Sequence, residues 1–249
     1  MKQARIGETE KFVSDMIAEF HKSKIKCLEQ LDLNKILKSK NPYLFKAKNF
    51  GVASELVKDI LDAYLYSSEE KLFGDFLEEL AIFVCSKTYG GEKSPATGID
   101  LQFDKDGIKY LVTVKSGTNW GNSSQHKRQE QGFQTAVKVL SQSKQTAKVQ
   151  PILGICYGKT KTTYVRNYMK VVGQNFWHFL SGNEDLYTDI VEPLGYRAKE
   201  LNDDFLKQKA KVVNLFTEEF MKDFCVGGEI DWKKLVRFNS GNLGMGAAI

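Results

Sequence analysis

Residues 98–115 limit most tightly what this chain can fold into. Gly98-Ile99-Asp100-Leu101-Gln102-Phe103 alternates apolar and polar side chains, Asp104-Lys105-Asp106-Gly107 is a turn sequence, and Ile108 to Val114 reads as a second strand. Period-two alternation puts successive side chains on opposite faces of a strand. A Gly-bearing tight turn between two such runs predicts an antiparallel hairpin.

Helical periodicity brackets the hairpin. Upstream, residues 8–39 carry Phe12, Met16, Phe20, Ile25, Leu28 and Leu31 at roughly helical spacing, and Asn41-Pro42 is a turn signal. Residues 52–66 read as an amphipathic helix. Ser67-Ser68-Glu69-Glu70 offers an N-cap for a further helix to about Ser86, with Phe73, Leu77, Leu80 and Val84 on its apolar side. Tyr89 to Pro95 is a loop. Downstream, 117–124 is a polar loop and Gln125 to about Gln142 a helix. Lys148 to Tyr157 is a buried strand, in which Pro151 suggests an edge or a bulge. Thr162 to Val172 is one more strand, Phe176, Trp177 and Phe179 form an aromatic cluster, and Lys199–Phe224 and Asp231–Val236 are helical. Helix, strand, strand, helix, strand predicts an α/β fold: a mixed central sheet flanked by helices, with helical N- and C-terminal regions. The expected organisation is a single domain over 1–249, with a helical region at 1–66, a core at 67–160 and a mostly helical region at 161–249.

Composition narrows the class. No apolar run approaches the roughly 18 residues of a membrane span. The N-terminus MKQARIGETEKF lacks the apolar stretch of a signal peptide, which gives a cytoplasmic expectation. Cys27, Cys85, Cys156 and Cys225 are far apart, so free thiols are expected rather than zinc or disulfides. His21, His126 and His178 have no metal-ligand spacing. The net charge of +5 is unevenly spread: Gly107–Asn183 holds 11 Lys/Arg and one acid, Glu130. Lys35–Ser54 is free of acids and carries five lysines. Segregated positive charge is the footprint of a polyanion binder, against the blander reading of a solvated face.

The hairpin also carries the chemistry. Val112 and Val114 point to one face, and Leu111, Thr113 and Lys115 to the other; Asp100 lies on the paired strand, in a register the sequence leaves open. A carboxylate holds a divalent cation, which neutralises charge on a phosphodiester and acidifies bound water. A neighbouring ammonium orients or deprotonates that water and stabilises developing charge.

Gly98-Ile99-Asp100 followed across a turn by Thr113-Val114-Lys115 resembles the PD-(D/E)XK nuclease signature. The loop Ser116-Gly117-Thr118-Asn119-Trp120-Gly121-Asn122-Ser123 and the segment Asn41-Pro42-Tyr43-Leu44-Phe45-Lys46-Ala47-Lys48-Asn49 are similar to a subgroup of type II restriction endonucleases. The resemblance covers roughly residues 40–160. It implies a restriction-endonuclease-like core and sequence-specific hydrolysis of double-stranded DNA with Mg²⁺, Mn²⁺ substituting. A homodimer would cut both strands, and a DNA methyltransferase would be the functional partner. It further implies catalytic roles for Asp100, Lys115 and Thr113, and metal ligation by Asp100, the Val114 carbonyl and a glutamate on the preceding helix.

The family usually has Asp or Glu where this chain has Thr113. Glu78 is preferred over Glu79 as the compensating acid, with exposed helix charge as the alternative for both. Ser116, Asn119, Trp120, Asn122, Ser123, Ser124 and Gln125 are candidates for DNA contact or, equally, for loop geometry. Lys46, Lys48, Lys127, Arg128 and Lys138 are candidate phosphate contacts. Three rivals stand beside this reading: a repair or mobile-element nuclease with the same chemistry, a DNA-binding module with a decayed site, and an interaction protein with no nucleic-acid role.

Overall fold

The computed structural model describes residues 2–142 and 148–242, with side chains from Gly7 onward. The chain packs into two compact units: Met1–Ile17 with Phe73–Tyr196, and Ala18–Leu72 with Arg197–Ile249. Two long helices, α1 (Lys2–Glu29) and α4 (Ala53–Tyr89), contribute a segment to each.

The first unit is built on a six-stranded sheet. Its strands are β1 (Glu92–Lys93), β2 (Leu101–Lys105), β3 (Ile108–Lys115), β4 (Val149–Ile155), β5 (Thr163–Val165) and β6 (Tyr168–Val172), in the spatial order β1-β2-β3-β4-β6-β5. β3, β4 and β6 run parallel, and the outer pairs are antiparallel. The hairpin closes as expected: Lys105 pairs with Ile108, and Asp106 and Gly107 take φ of 53° and 74°, the left-handed pair that a two-residue I′ turn requires. Helix α5 (Ser123–Gln142) makes the crossover from β3 to β4. The short helices α6 (Gln174–Ser181), α7 (Leu186–Asp189) and α8 (Val191–Leu194) follow β6.

Both faces of this sheet are buried, which parallel strands require. On one face Leu101, Phe103, Val112, Val114 and Ile152 pack with Leu77, Leu80 and Val84 of α4 and with Phe176 and Trp177 of α6. On the other, Leu111, Leu153 and Ile155 pack with Phe133 and Ala136 of α5. The mixed sheet between helices is the α/β arrangement read from the order of elements.

The second unit is helical. Part of α1 and of α4 joins α2 (Leu33–Ser39), α3 (Pro42–Ala47), α9 (Ala198–Phe224), the small hairpin β7 (Cys225–Val226) and β8 (Glu229–Ile230), and α10 (Trp232–Ser240). Its core includes Leu28, Ile36, Leu56, Leu61, Phe205, Phe220 and Leu235. Asp32, Asn41 and Asp231 cap α2, α3 and α10 through their side chains.

Several local expectations fail for identifiable reasons. Ser67-Ser68 does not start a helix; α4 runs through it for 37 residues. The Ser67 hydroxyl donates to the Ala63 carbonyl one turn back, and Ser68 Oγ meets Cys27 Sγ at 3.3 Å, so neither hydroxyl is left to cap. Pro151 marks no bulge, and β4 is internal to the sheet, but at Pro151 only its β3 side is laddered. It pairs with Leu111 in unbroken register, one residue before the β4–β6 ladder begins at Ile152, where no bond to β6 needs its missing N–H. The segment Thr162–Val172 holds two strands, reversed where Arg166 takes φ 53°.

Candidate active site

Asp100 sits where β2 leaves the hairpin. Its backbone N–H donates to the Val112 carbonyl, and beyond that point β3 has no ladder partner on this side. The Val114 N–H, which would be orphaned there, donates instead to Asp100 Oδ2 at 2.7 Å. In an extended strand a residue's N–H and C=O point the same way, so the Val114 carbonyl opens toward the same gap. The neighbouring positions face the other side: the Lys115 carbonyl accepts from the Cys156 N–H of the β4 edge.

Glu78 comes from α4, packed on the sheet through Leu77 and Leu80. A Cβ on Gly74 would stand 3.0 Å from Ser116 Oγ, so glycine one turn before Glu78 lets this helix lie close to the end of β3. Glu78 is half-buried, whereas Glu79 is exposed. Burial pushes the Asp100 carboxyl above the ordinary carboxylate range, against the pull of the Val114 N–H, Lys115 and Lys93. Glu78 is raised as well, first by burial and then by the charge of Asp100, with Lys93 and Lys115 opposing. The two carboxylates and the two ammoniums thus act on one another, and negative charge is incompletely compensated.

Lys115, half-buried, carries its ammonium 5.6 Å from the centre of the Trp120 ring. With Thr97, Gln125, Arg128 and Gln129 it lines an open cleft of about 710 Å³ between the hairpin and α5. Thr113 is 1% exposed. Its hydroxyl donates to the Gly98 carbonyl at 2.8 Å and accepts from Gln129 Nε2 at 2.8 Å. A carboxylate there would set a second acceptor against the Gly98 carbonyl; as folded, the position suits a neutral hydroxyl.

The candidate DNA contacts divide by location. Asn119 and residues 121–128 are exposed, and Trp120 is half-buried, 4.3 Å from the His126 ring. Asn122 and Gln125 form a capping box on α5: Asn122 Oδ1 accepts from the backbone of Ser124 and Gln125, and Gln125 Oε1 accepts from the Asn122 N–H. Ser123 and Lys127 line a second cleft with Trp120. Ser116 lies under α4, its carbonyl held by the Tyr157 N–H. Lys138 is exposed on α5. Lys46 and Lys48 belong to the other compact unit, where Lys46 covers the Trp232 ring and Lys48 pairs with Asp59 at 2.6 Å.

Two residues of the site escaped the sequence reading. Gln129 lies on the stripe of α5 shared with Phe133 and Ala136, and a polar residue on a buried stripe was the available signal. Lys93 lies on a two-residue strand, too short for any pattern; its Nζ is 3.9 Å from Glu78 Oε1.

Which chemistry fits this set? The donors are hard oxygens: two carboxylates and a main-chain carbonyl. No cluster of three or more His, Cys, Asp or Glu that could hold a metal exists among the described residues. Mg²⁺ keeps several waters and takes one or two carboxylates, so two carboxylates and a main-chain carbonyl are a donor set that fits it. Cys156, nearby, is no competitor, because burial holds its thiol far above the ordinary range. The four cysteines are unpaired, and no helix among the described residues is long and apolar enough to cross a membrane. The model of one protein family, type II restriction endonuclease EcoO109I, matches residues 7–202. No curated protein matches the chain.

Proposed function

This chain belongs to the type II restriction endonuclease EcoO109I family, a family of nucleases acting on DNA, and from that premise we propose that it hydrolyses double-stranded DNA at a specific sequence in a Mg²⁺-dependent reaction. The observation that carries the reading is the Asp100–Val114 hydrogen bond, because it ties the carboxylate just ahead of β2 to the end of β3 that bears Lys115.

Asp100, Glu78 and the Val114 carbonyl would hold Mg²⁺ or Mn²⁺, which supplies charge neutralisation at the scissile phosphate and a more acidic water. Asp100 binds through whatever oxygen capacity the Val114 N–H leaves. Lys115 orients the attacking water and stabilises charge on the phosphate. Thr113 positions rather than ligates: it ties Gly98, just before Asp100, to Gln129 of α5. Lys127, Arg128 and the exposed loop ahead of α5 contact the DNA. One such site cuts one strand, so two copies related by a two-fold axis would cut both, which makes a homodimer the working assembly. A methyltransferase of the same specificity would protect the host DNA.

The test is a digest of unmethylated plasmid with Mg²⁺ or Mn²⁺, followed by mapping of the ends. Discrete fragments are expected from the parent, and complete loss of cutting with DNA binding retained from Asp100→Ala and from Lys115→Ala. Full activity in either variant refutes the assignment. Cleavage at scattered positions points to a nuclease of another role. Tight binding without cutting under any divalent cation points to a binding module, the reading favoured by the neutral Thr113.

A further inference from the structure

The site holds more positive charge than the hydrolytic reading uses. β1 is a two-residue strand clipped to β2 by the pairs Glu92–Gln102 and Lys93–Leu101. The clip is reinforced by Gln102 Nε2 donating to Glu92 Oε1 at 2.9 Å and by the Ser94 hydroxyl donating to Gln102 Oε1 at 3.2 Å. The Ser94 N–H then donates to the Asp100 carbonyl, so this strand runs directly beside Asp100. Side chains alternate along a strand. With Glu92 turned to Gln102, Lys93 takes the face of Leu101, which is the face α4 covers. Its ammonium reaches Glu78, 3.9 Å away, while the side chain remains 76% exposed.

We infer that Lys93 is a positioning residue of the metal site: in the metal-free protein it is the counter-ion of Glu78, and it competes with the incoming cation for that carboxylate. The inference rests on the reading of Asp100 and Glu78 as metal ligands. Lys115 acts on Glu78 less strongly than Lys93 does, and the ion pair that Glu78 makes is with Lys93. Lys93 is free to leave because most of it is in water, and a solvated lysine is a flexible point charge on a long stem. A dication at Glu78 repels it, so each raises the cost of the other's presence. The chain thereby sets its own cation threshold through a residue outside the Asp100–Lys115 pair.

Calorimetric titration of Mn²⁺ alone into the metal-free full chain, without DNA, tests this. Lys93→Gln is compared with the parent, with Lys93→Arg and with Lys11→Gln, the same charge change at an exposed position of α1. The expected result is about fivefold tighter Mn²⁺ binding in Lys93→Gln, the size of one unit charge removed from beside a ligand in a wet site. Lys93→Arg should stay close to the parent and Lys11→Gln should change nothing. If the parent binds no Mn²⁺ without DNA, Lys93→Gln should gain binding. Lys93→Gln matching Lys11→Gln, or Lys93→Arg matching Lys93→Gln, overturns the inference, the first by making Lys93 only an edge-strand lysine. Asp100→Ala separates the two levels. Mn²⁺ binding that survives it overturns the metal site and Lys93 together. Binding lost in Asp100→Ala but unaltered in Lys93→Gln overturns Lys93 alone.

Discussion

At the scale of single residues, burial without full compensation recurs in both units. In the first it belongs to Asp100 and Glu78, where hydrolysis would use it. In the second it belongs to His21, 8% exposed, whose Nδ1 lacks a partner among the described residues. The Phe20 ring lies beside it, and Lys24 follows one turn on, paired with Glu69 of α4 at 3.1 Å. Burial, and after it the Lys24 charge, hold the His21 imidazole below its ordinary value of 6.5, with Glu69 opposing. The unfolded chain therefore binds this proton more readily than the folded one. The stability contribution is complete above pH 6.5 and is lost as the pH falls through the lower, folded-state value. Thermal melts from pH 8 downward should show a falling Tm below about pH 6.5. His21→Leu should flatten that part of the profile, and an unchanged slope in the variant removes His21 as its cause.

At the scale of elements, the site depends on helices lying close against the sheet, and glycine sets how close. The Phe176 ring of α6 packs against Gly154 of β4; a Cβ there would stand 2.1 Å from the ring. The ring is fully buried and cannot swing away. Gly154→Ala should therefore lower stability by about 2 kcal/mol, the usual size of overpacking in a dense core. Denaturant unfolding measures this, and a stable variant would mean that α6 can shift. The elements read correctly from sequence were those whose signals are local, such as the Asp-Gly hairpin and the short last helix beginning near Asp231. Those read wrongly depended on interactions elsewhere. Ser67-Ser68 looks like a cap, but its hydroxyls are engaged at Ala63 and Cys27. Pro151 looks like an edge residue, but β4 is internal to the sheet, and only the position of β6 reveals that its missing N–H costs nothing.

At the scale of the whole molecule, charge is the feature that reaches furthest. The basic middle of the chain surfaces at the exposed start of α5, around Lys127 and Arg128, beside the clefts that contain Lys115 and Trp120. Phosphate contacts release counterions, so affinity for duplex DNA should fall linearly on a log–log plot against salt. Replacing Lys127 and Arg128 together by Ala should flatten that slope by about 2 units. The cut positions in the digest should not move, because phosphate contacts position without specifying. An unaltered slope would place the DNA elsewhere.

What the sequence determined by itself was the hairpin, the helix–strand order around it, and the presence of one acid and one lysine at the hairpin's open end, Asp100 just ahead of β2 rather than on it and Lys115 closing β3. All three follow from side-chain periodicity and turn chemistry, which act over a few residues. Only the tertiary structure decided the rest. It half-buried Glu78, which the sequence had only favoured over Glu79, within electrostatic reach of Asp100, brought Lys93 against Glu78, and enclosed Thr113 between Gly98 and Gln129. Those choices depend on the register at the end of β2 and on how closely α4 and α5 approach the sheet. Both are set by packing among residues distant in the chain, which no local pattern encodes.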